Sequence, residues 1–254
     1  MILVIDIGNT NIVAGCVEGK EILFRERLST AHRATKLEYS VLFKTAFEMH
    51  GIDYKKIDGA IISSVVPTIT KVVKKAIENL CTIDVMIVGP GVKTGISIVI
   101  DNPAQLGSDL VVDAVASVDE YSVPQIVIDM GTATTISVID GKKQFLGGAI
   151  LPGVAVSHDA LIGRTAQLPK VAFEEPKKII GSNTIDSIKS GIMYGNAGAI
   201  EGIVERFEEE LGEKCTIIAT GGLAKAIVPL CKREIIVDED LLLKGLMLIY
   251  EKNK

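Results

Sequence analysis

Two aspartates, Asp6 and Asp129, each end an apolar run and precede a glycine followed by small polar residues. Residues 2–20 read ILVIDIGNTNIVAGCVEGK, and residues 125–142 read QIVIDMGTATTISVIDGK. A strand that ends on a carboxylate and turns on glycine presents one acid and one amide-rich turn, which suit magnesium and phosphate oxygens. The repeat therefore predicts two related domains that face each other across a cleft and bind a magnesium nucleotide.

An ordinary hairpin turn is the alternative interpretation of each copy. Asp and Asn side chains often hydrogen-bond their own backbone in such turns, so a single DxGNT pattern does not distinguish the two. However, an ionised carboxylate beside apolar neighbours must be solvated, paired or bound to a metal. The repetition of the pattern favours a binding role.

Two further segments are candidates for chemistry. Asp109 follows Gly107 and Ser108 at a predicted helix start, where it either caps the helix or stays ionised and accepts a proton from a substrate hydroxyl. Thr220-Gly221-Gly222-Leu223-Ala224 lies between a predicted strand and helix. Its paired glycines would let the backbone approach a flat ligand such as adenine, although many strand–helix turns look alike.

Composition excludes several classes of function. The net charge of −5 without a basic block argues against a nucleic-acid partner, and no apolar run is long enough to span a membrane. Four cysteines without a CxxC pair, and no apparent signal peptide, fit a cytoplasmic protein. There is no Walker A sequence. The three histidines are His32, His50 and His158, and they lack metal-ligand spacing. We interpret them as surface or hydrogen-bonded side chains.

The alternation of apolar and polar residues and the positions of the turn residues predict a mixed α/β protein. Three strands, a helix, a strand and a helix occur twice in the same order, which is the order of ribonuclease-H-like domains. We expect an N-terminal domain over residues 1–120 and a C-terminal domain over 121–254, whose last helix could pack back on the first. Residues 35–50 are predicted to form a helix, one face of which contains Leu37, Val41, Leu42, Thr45 and Met49. Residues 163–183 are expected to be irregular, and 184–211 to form a long helix with regularly spaced glycines.

Taken together, several motifs resemble those of the type III pantothenate kinases, a branch of the acetate-kinase, sugar-kinase, Hsp70 and actin superfamily. The resemblance runs nearly end to end and rests on these segments: DIGNTN at 6–11, SSVVP at 63–67, DNPAQLGSD at 101–109, DMGTATT at 129–135, GGAILPG at 147–153, TAQLP at 165–169, NTIDSIKSG at 183–191 and TGGLA at 220–224. It implies two duplicated ribonuclease-H-like, actin-like ATPase domains with mixed sheets flanked by helices.

The resemblance also implies an activity and a set of partners. Family enzymes phosphorylate the 4′-hydroxyl of pantothenate with ATP, the first step towards coenzyme A. They are homodimers that need Mg²⁺ and a monovalent cation, K⁺ or NH₄⁺. We therefore expect the same substrate, cofactors and assembly here.

Site residues follow from the matched positions. The resemblance implies that Asp129 binds the monovalent cation, that Asp6 also serves the metal, and that Asp109 is the proton acceptor. It assigns the ATP contacts to Asp6, Ile7, Gly8, Asn9, Thr10, Asn11, Ile12, Val13, Thr132, Gly221 and Gly222. It assigns the pantothenate contacts to Ile100, Gly107, Ser108, Asp109, Leu110 and Thr184, the last of them at the dimer interface.

Two positions depart from the family pattern. The family usually reads GADR where this chain has Gly107-Ser108-Asp109-Leu110, and it usually has Tyr where this chain has Ile100. The missing Arg would hold the pantothenate carboxylate, and loss of such a charge-assisted bond costs about 1.5–3 kcal/mol. Two alternatives therefore stay open: a kinase for another small alcohol, and a non-catalytic nucleotide-binding regulator.

Overall fold

The computed structural model describes every residue from Met1 to Lys254. Its helices are α1 Lys36–Met49, α2 Pro67–Cys81, α3 Ser108–Glu120, α4 Val154–Gly163, α5 Thr184–Leu211, α6 Ala224–Ile227 and α7 Leu241–Asn253. Its strands are β1 Ile2–Ile7, β2 Asn11–Glu18, β3 Glu21–Ser29, β4 Gly59–Ser64, β5 Val85–Ile87, β6 Ser97–Ile98, β7 Gln125–Met130, β8 Ala133–Ile139, β9 Gln144–Pro152, β10 Thr216–Thr220 and β11 Ile236–Val237.

The chain forms two compact units that are not continuous in sequence. Unit 1 contains Met1–Gly95, Asn102–Ala116 and Asp240–Lys254. Unit 2 contains Ile96–Asp101 and Ser117–Glu239. Helix α7, the last element of the chain, therefore belongs to unit 1.

Both units contain a mixed sheet with the same strand order. The sheet of unit 1 runs β3-β2-β1-β4-β5, with β1 antiparallel to β2 and parallel to β4. The sheet of unit 2 runs β11-β10-β7-β8-β9-β6, with β7 antiparallel to β8 and parallel to β10. Reading β9-β8-β7-β10-β11 repeats the order of the first sheet. The predicted fold class, two mixed sheets flanked by helices, is confirmed.

In unit 1, helices cover both faces of the sheet. Residues of α1 and α2 join Leu3, Ile5 and Ile7 of β1 in one buried apolar cluster. Because strand side chains alternate between faces, Gly15 and Gly59 point away from that cluster. Helix α7 packs there, since a Cβ built on Gly15 would lie 2.9 Å from Leu243 and one on Gly59 would overlap the Tyr250 ring.

Helix α1 buries a different face from the one that the sequence pattern suggests. The expected face, which contains Leu37, Val41, Leu42, Thr45 and Met49, is exposed, and Met49 is 76% accessible. The buried residues are Tyr39, Phe43, Ala46 and Phe47. The prediction was wrong because the helix is apolar on both faces, and burying the larger aromatic side chains removes more apolar area from water.

In unit 2, the long helix α5 covers one sheet face. Its buried side chains, among them Ile192, Met193 and Ile200, form one cluster with Ile126, Ile128 and Met130 of β7 and with residues of α4 and α6. The intervening residue Asp129 therefore points to the opposite face. Residues 164–183 contain no helix or strand, as the sequence predicts. No helix of the protein is both long and apolar enough to cross a bilayer.

Candidate functional site

The turn between β1 and β2 is held by a hydrogen bond within the turn and by two hydrogen bonds from Thr30, the residue after β3. The Gly8 N–H donates to the Asn11 carbonyl at 2.9 Å, and the Gly8 carbonyl accepts from Thr30 Oγ1 at 2.7 Å. The Thr30 N–H donates to the Thr10 carbonyl at 2.9 Å. Asn9 and Thr10 lie exposed at the tip. The predicted phosphate loop is thus a fixed turn whose small polar residues face solvent.

Asp6 lies near the carboxyl end of β1, immediately before this turn. It pairs in register with Val13 of β2 and with Ser63 of β4, and it is half-buried. Its neighbours on β1, Ile5 and Ile7, point into the apolar cluster on the other face. The carboxylate is therefore presented at the strand end on the same face as Ser63.

A hydroxyl network joins the end of β4 to the start of α3. Ser108 Oγ lies 3.0 Å from Ser63 Oγ, and it accepts the Ser64 N–H at 3.1 Å. Thr70 Oγ1 of α2 donates to Ser64 Oγ at 2.6 Å. The segment SSVVP, whose residues have no individual role in the sequence analysis, therefore fixes the first residue of α3 and, next to it, Asp109.

Asp109 folds back over Gly107 at the start of α3. Its Oδ1 accepts the Leu110 N–H at 2.9 Å, and a Cβ built on Gly107 would lie only 2.4 Å from that oxygen. Burial raises the pKa of the Asp109 carboxyl, and backbone hydrogen bonds from Leu110 and Asp109 itself offset part of that rise. Burial disfavours the charged form of a carboxyl group, so the pKa of Asp109 lies above the ordinary value of an aspartate.

In unit 2, Gly221 packs directly on Asp129. Asp129 of β7 pairs in register with Thr220 of β10, and Gly221 follows with φ of +91°. A Cβ on Gly221 would lie 2.5 Å from Oδ1 of Asp129 and 2.6 Å from the Met130 nitrogen. Two motifs that lie about ninety residues apart in sequence, DMGTATT and TGGLA, thus meet at the carboxyl ends of neighbouring parallel strands.

The turn after Asp129 is supported by a third glycine. A Cβ on Gly153 would lie 2.2 Å from the Thr132 carbonyl oxygen, and the Gly153 N–H donates to that oxygen at 3.1 Å. Gly153 belongs to the GGAILPG segment, whose residues have no individual role in the sequence analysis. Thr132 itself is exposed at the turn, as a ligand contact would require.

Thr184 begins helix α5 at the edge of a cavity of about 680 Å³. Asn183 caps the helix by accepting the Asp186 N–H at 2.9 Å. The cavity combines an apolar lining with uncharged polar side chains from α4, α5 and the irregular segment: Ser157, Leu161, Leu168, Gly181, Ser182, Asn183, Thr184, Ser187, Ile188, Gly191, Ile192 and Asn196. It contains no charged side chain.

The two positions that depart from the family pattern are occupied by aliphatic side chains. Leu110 is half-buried next to Asp109 in unit 1. Ile100, in unit 2, is also half-buried, and a Cβ built on Gly147 would lie 3.8 Å from its Cγ2. Neither side chain can donate a hydrogen bond or carry a charge.

Comparison with known proteins decides the family. The model of the type III pantothenate kinase family matches residues 2–206. The chain belongs to the type III pantothenate kinase family. A relative from Halalkalibacterium halodurans, named type III pantothenate kinase, is 43% identical over 253 residues, which cover 100% of both chains. Members of this family are kinases, that is, phosphotransferases that use ATP and a small-molecule substrate.

Solved structures support the fold alone. A conserved putative Baf family transcriptional activator from Campylobacter jejuni matches 99% of this chain and 98% of its own, with a TM-score of 0.62 and 19% identity. Component A of (R)-2-hydroxyglutaryl-CoA dehydratase from Acidaminococcus fermentans covers 100% of this chain, with 99% of its own length matched, a TM-score of 0.59 and 13% identity. The fold of this family member is thus shared with solved structures that are less than 20% identical to it.

Proposed function

We propose that the protein phosphorylates the 4′-hydroxyl of pantothenate with ATP, the first step towards coenzyme A. The observation that carries this proposal is the 43% identity to a type III pantothenate kinase along the whole of both chains. The position and environment of Asp109 support it, because phosphoryl transfer to an alcohol needs a group that accepts the hydroxyl proton.

Asp109 is the proton acceptor in this proposal. Its carboxylate takes the proton of the substrate hydroxyl while that oxygen forms a bond to the γ-phosphorus and the bond to the β-phosphate oxygen breaks, which releases ADP. Burial raises the pKa of Asp109, and a raised pKa makes the carboxylate a better base at neutral pH. The Ser63–Ser108 hydrogen bond fixes the preceding residue, and the Leu110 N–H, which donates to Oδ1 at 2.9 Å, orients the carboxyl group.

The nucleotide is held by the turn residues described above. Residues 6–13 would contact its phosphates, Thr132 would make a second ATP contact, and Gly221 and Gly222 would admit the adenosine. A carboxylate at a strand end, as at Asp6, is the hard oxygen ligand that Mg²⁺ prefers beside phosphates. When bound, Mg²⁺ neutralises phosphate charge.

Asp129 suits a monovalent cation. Gly221 lies directly against its Oδ1, where a Cβ could not be accommodated. Thr135 pairs in register with Asp129, so both side chains lie on one face, and the buried Thr135 hydroxyl has no hydrogen-bond partner. K⁺ or NH₄⁺ held here would add positive charge for the phosphates.

Leu110 favours one second candidate function, phosphorylation of a different small alcohol. A carboxylate-bearing substrate gains little from an aliphatic side chain where the family has Arg. An alcohol without a carboxylate would not need that Arg. The same base and nucleotide contacts would serve either substrate.

Self-association into a homodimer is part of the proposal. Helix α5 presents Gly191, Gly195 and Gly198 at its surface, and a Cβ built on any of them meets open space. Small residues at such spacing let two helices approach closely. Ile185, on the first turn of the same helix, is 49% exposed.

A panel of acceptors tests the proposal. Purified protein with ATP, Mg²⁺ and K⁺ is offered pantothenate or small alcohols without a carboxylate, and ADP release is measured. We expect pantothenate to give the highest rate at saturation. ADP release with another alcohol alone would favour the second candidate, and nucleotide binding without ADP release would indicate a regulator.

A further inference from the structure

The irregular segment 164–183, termed the strap below, is tied to helix α4 by a buried histidine. His158 of α4 is 4% exposed, and its Nε2 accepts the backbone N–H of Val171 at 3.2 Å. The ring of Phe173, also on the strap, meets the imidazole edge-on with centroids 5.3 Å apart. His158 thus contacts the strap through both a hydrogen bond and its ring.

The hydrogen bond fixes the protonation state of this histidine. A ring nitrogen that accepts an N–H carries no proton, so the imidazole is neutral and its proton is on Nδ1. Protonation of Nε2 would set two N–H groups against each other in a buried space. The contact therefore exists only while His158 is neutral.

The strap forms part of the cavity that contains Thr184. Leu168, Gly181, Ser182 and Asn183 of the strap line it, and Val171 and Phe173 pack against the apolar cluster under α5. Other side-chain contacts of the strap, such as Glu174 with Lys189 and Glu175 with Tyr194, use an exposed glutamate of the strap. His158, in contrast, is a buried side chain that accepts a hydrogen bond from the strap.

Charged groups near the ring come from both packed elements. Asp159, next to His158 on α4, has Oδ1 3.7 Å from Nδ1, and Lys170 of the strap lies 3.7 Å from the same oxygen. Lys189 of helix α5 is paired with Glu174, the residue after Phe173 on the strap. Both Asp159 and Lys170 are mostly exposed, so solvent screens their effect on the ring.

We propose that neutral His158 is a positioning residue that holds the strap, and with it the Thr184 cavity, in the form that accepts the alcohol substrate. Acidification then releases the strap and weakens substrate binding without removing the catalytic base. The claim about substrate rests on the proposed function, whereas the claim about the strap does not.

The tautomer and the strap can be tested without any substrate. The protein has three histidines, so ¹⁵N-histidine labelling gives three imidazoles to assign. The signals that disappear in His158→Gln belong to the His158 imidazole. We expect these signals to show the Nδ1–H tautomer at neutral pH. We also expect exchange of the Val171 amide, corrected for intrinsic rates, to accelerate about tenfold when the pH is lowered from about 8 to about 5.

Two variants separate positioning from simple packing. His158→Gln keeps an acceptor that does not titrate, so its Val171 exchange should be slow and independent of pH. His158→Phe removes the acceptor, so exchange should be fast at every pH. His32→Gln, at an exposed histidine, should behave as the parent protein. An Nε2–H tautomer, or the same pH dependence in His158→Gln as in the parent, would overturn the proposal.

Kinetics then test the link to substrate. In His158→Phe we expect KM for the alcohol to rise about tenfold while kcat changes less than twofold, and His158→Gln should restore KM. A fall in kcat at unchanged KM would contradict the positioning role. If no alcohol is turned over at all, the proposed function fails, but the tautomer and exchange results still decide the role of His158.

Discussion

Gly221 lies against the carboxylate of Asp129, so closely that a Cβ on Gly221 would come within 2.5 Å of Oδ1. The two residues end neighbouring parallel strands, β10 and β7, and Gly221 has φ of +91°. Both the positive φ and the close approach require glycine at this position. The predicted adenosine loop and the predicted cation ligand of unit 2 are therefore parts of one structural feature.

Gly221→Ala should damage this feature. The positive φ and the overlap with Asp129 together should cost about 1–3 kcal/mol of unfolding free energy, measured by urea denaturation. We also expect the activation of ATP turnover by K⁺ to weaken, because Asp129 must move. Gly141→Ala, at an exposed glycine without neighbours within 4 Å, is the control and should leave both properties unchanged. Unaltered K⁺ activation in Gly221→Ala would contradict the arrangement.

Asp109→Asn should separate activity from stability. Loss of the base should lower kcat by about 10²–10⁴-fold. Burial raises the pKa of Asp109, so the folded protein carries its charge at a cost at neutral pH. That cost is absent below the ordinary pKa of an aspartate and appears as pH rises through the raised pKa, so the neutral Asn should raise Tm at pH 7.

Asp119→Asn, an exposed change on the same helix, is the control for both readouts. The pH profile gives a further check, because activity should fall on the acid side as Asp109 becomes protonated. A variant Asp109→Asn that keeps full kcat would remove Asp109 from the mechanism.

Leu110→Arg should increase affinity for pantothenate. A guanidinium at this position could form a charge-assisted bond with the carboxylate, which is worth about 1.5–3 kcal/mol, or ten- to a hundredfold in Kd. Calorimetric titration of pantothenate into protein saturated with a non-hydrolysable ATP analogue measures it. Leu110→Gln, similar in length but uncharged, should not show this gain. Equal affinities in the Arg variant and the parent would show that position 110 does not contact the carboxylate.

Glu208→Gln should destabilise unit 2 in a pH-dependent way. Burial raises the pKa of this glutamate, but hydrogen bonds from Lys214, Arg233 and the Cys215 N–H outweigh burial and lower the pKa to about 2. A lowered pKa stabilises the fold above the ordinary glutamate pKa, and this stabilisation is lost as pH falls towards about 2. We expect a loss of about 1–3 kcal/mol at pH 7 by urea denaturation.

The difference between Glu208→Gln and the parent should shrink as pH falls below about 4.3, where unfolded glutamates become protonated. The exposed neighbour Glu209, changed to Gln, serves as the control and should have little effect. A difference that is constant between pH 7 and pH 3 would exclude the charge of Glu208 as its cause.

Gly195→Leu should weaken self-association if α5 forms the dimer interface. A leucine side chain would keep two helices apart at a point where glycine allows close approach. Light scattering coupled to size-exclusion chromatography should show the parent as a dimer and the variant shifted towards monomer at micromolar concentrations. Because a Cβ at Gly195 meets nothing within the chain, the monomer itself should stay folded. A dimer of unchanged stability would place the interface elsewhere.

Much of the fold followed from short-range patterns. The repeated strand–Asp–Gly–strand segments predicted two sheets of the same order, because alternation and turn residues act locally. The burial of α1 could not be predicted from periodicity alone, since Leu37 and Phe43 lie on different apolar faces of one helix. The face with the aromatic side chains packs on the sheet, because its burial removes more apolar area from water than burial of the other face would.

The contacts that support the site residues could not be predicted from local sequence patterns, because they join residues that are distant in sequence. Ser108 meets Ser63 across 45 positions of sequence, and Gly153 supports the Thr132 carbonyl from the far end of a neighbouring strand. The motifs that contain these residues were recognised, but only tertiary structure shows what each residue does. The sequence predicts that His158 is a surface or hydrogen-bonded side chain, and its hydrogen-bond partner, the Val171 N–H, lies on a segment without regular structure.

The most direct test of the account is to follow product formation. Protein is incubated with ATP, Mg²⁺, K⁺ and pantothenate, and ADP and 4′-phosphopantothenate are quantified together by mass spectrometry, with Asp109→Asn as the matched control. The account predicts that the two products form in equal amounts and that both nearly disappear in the variant. Bound ATP with no phosphorylated pantothenate, or equal product from the variant, would contradict it.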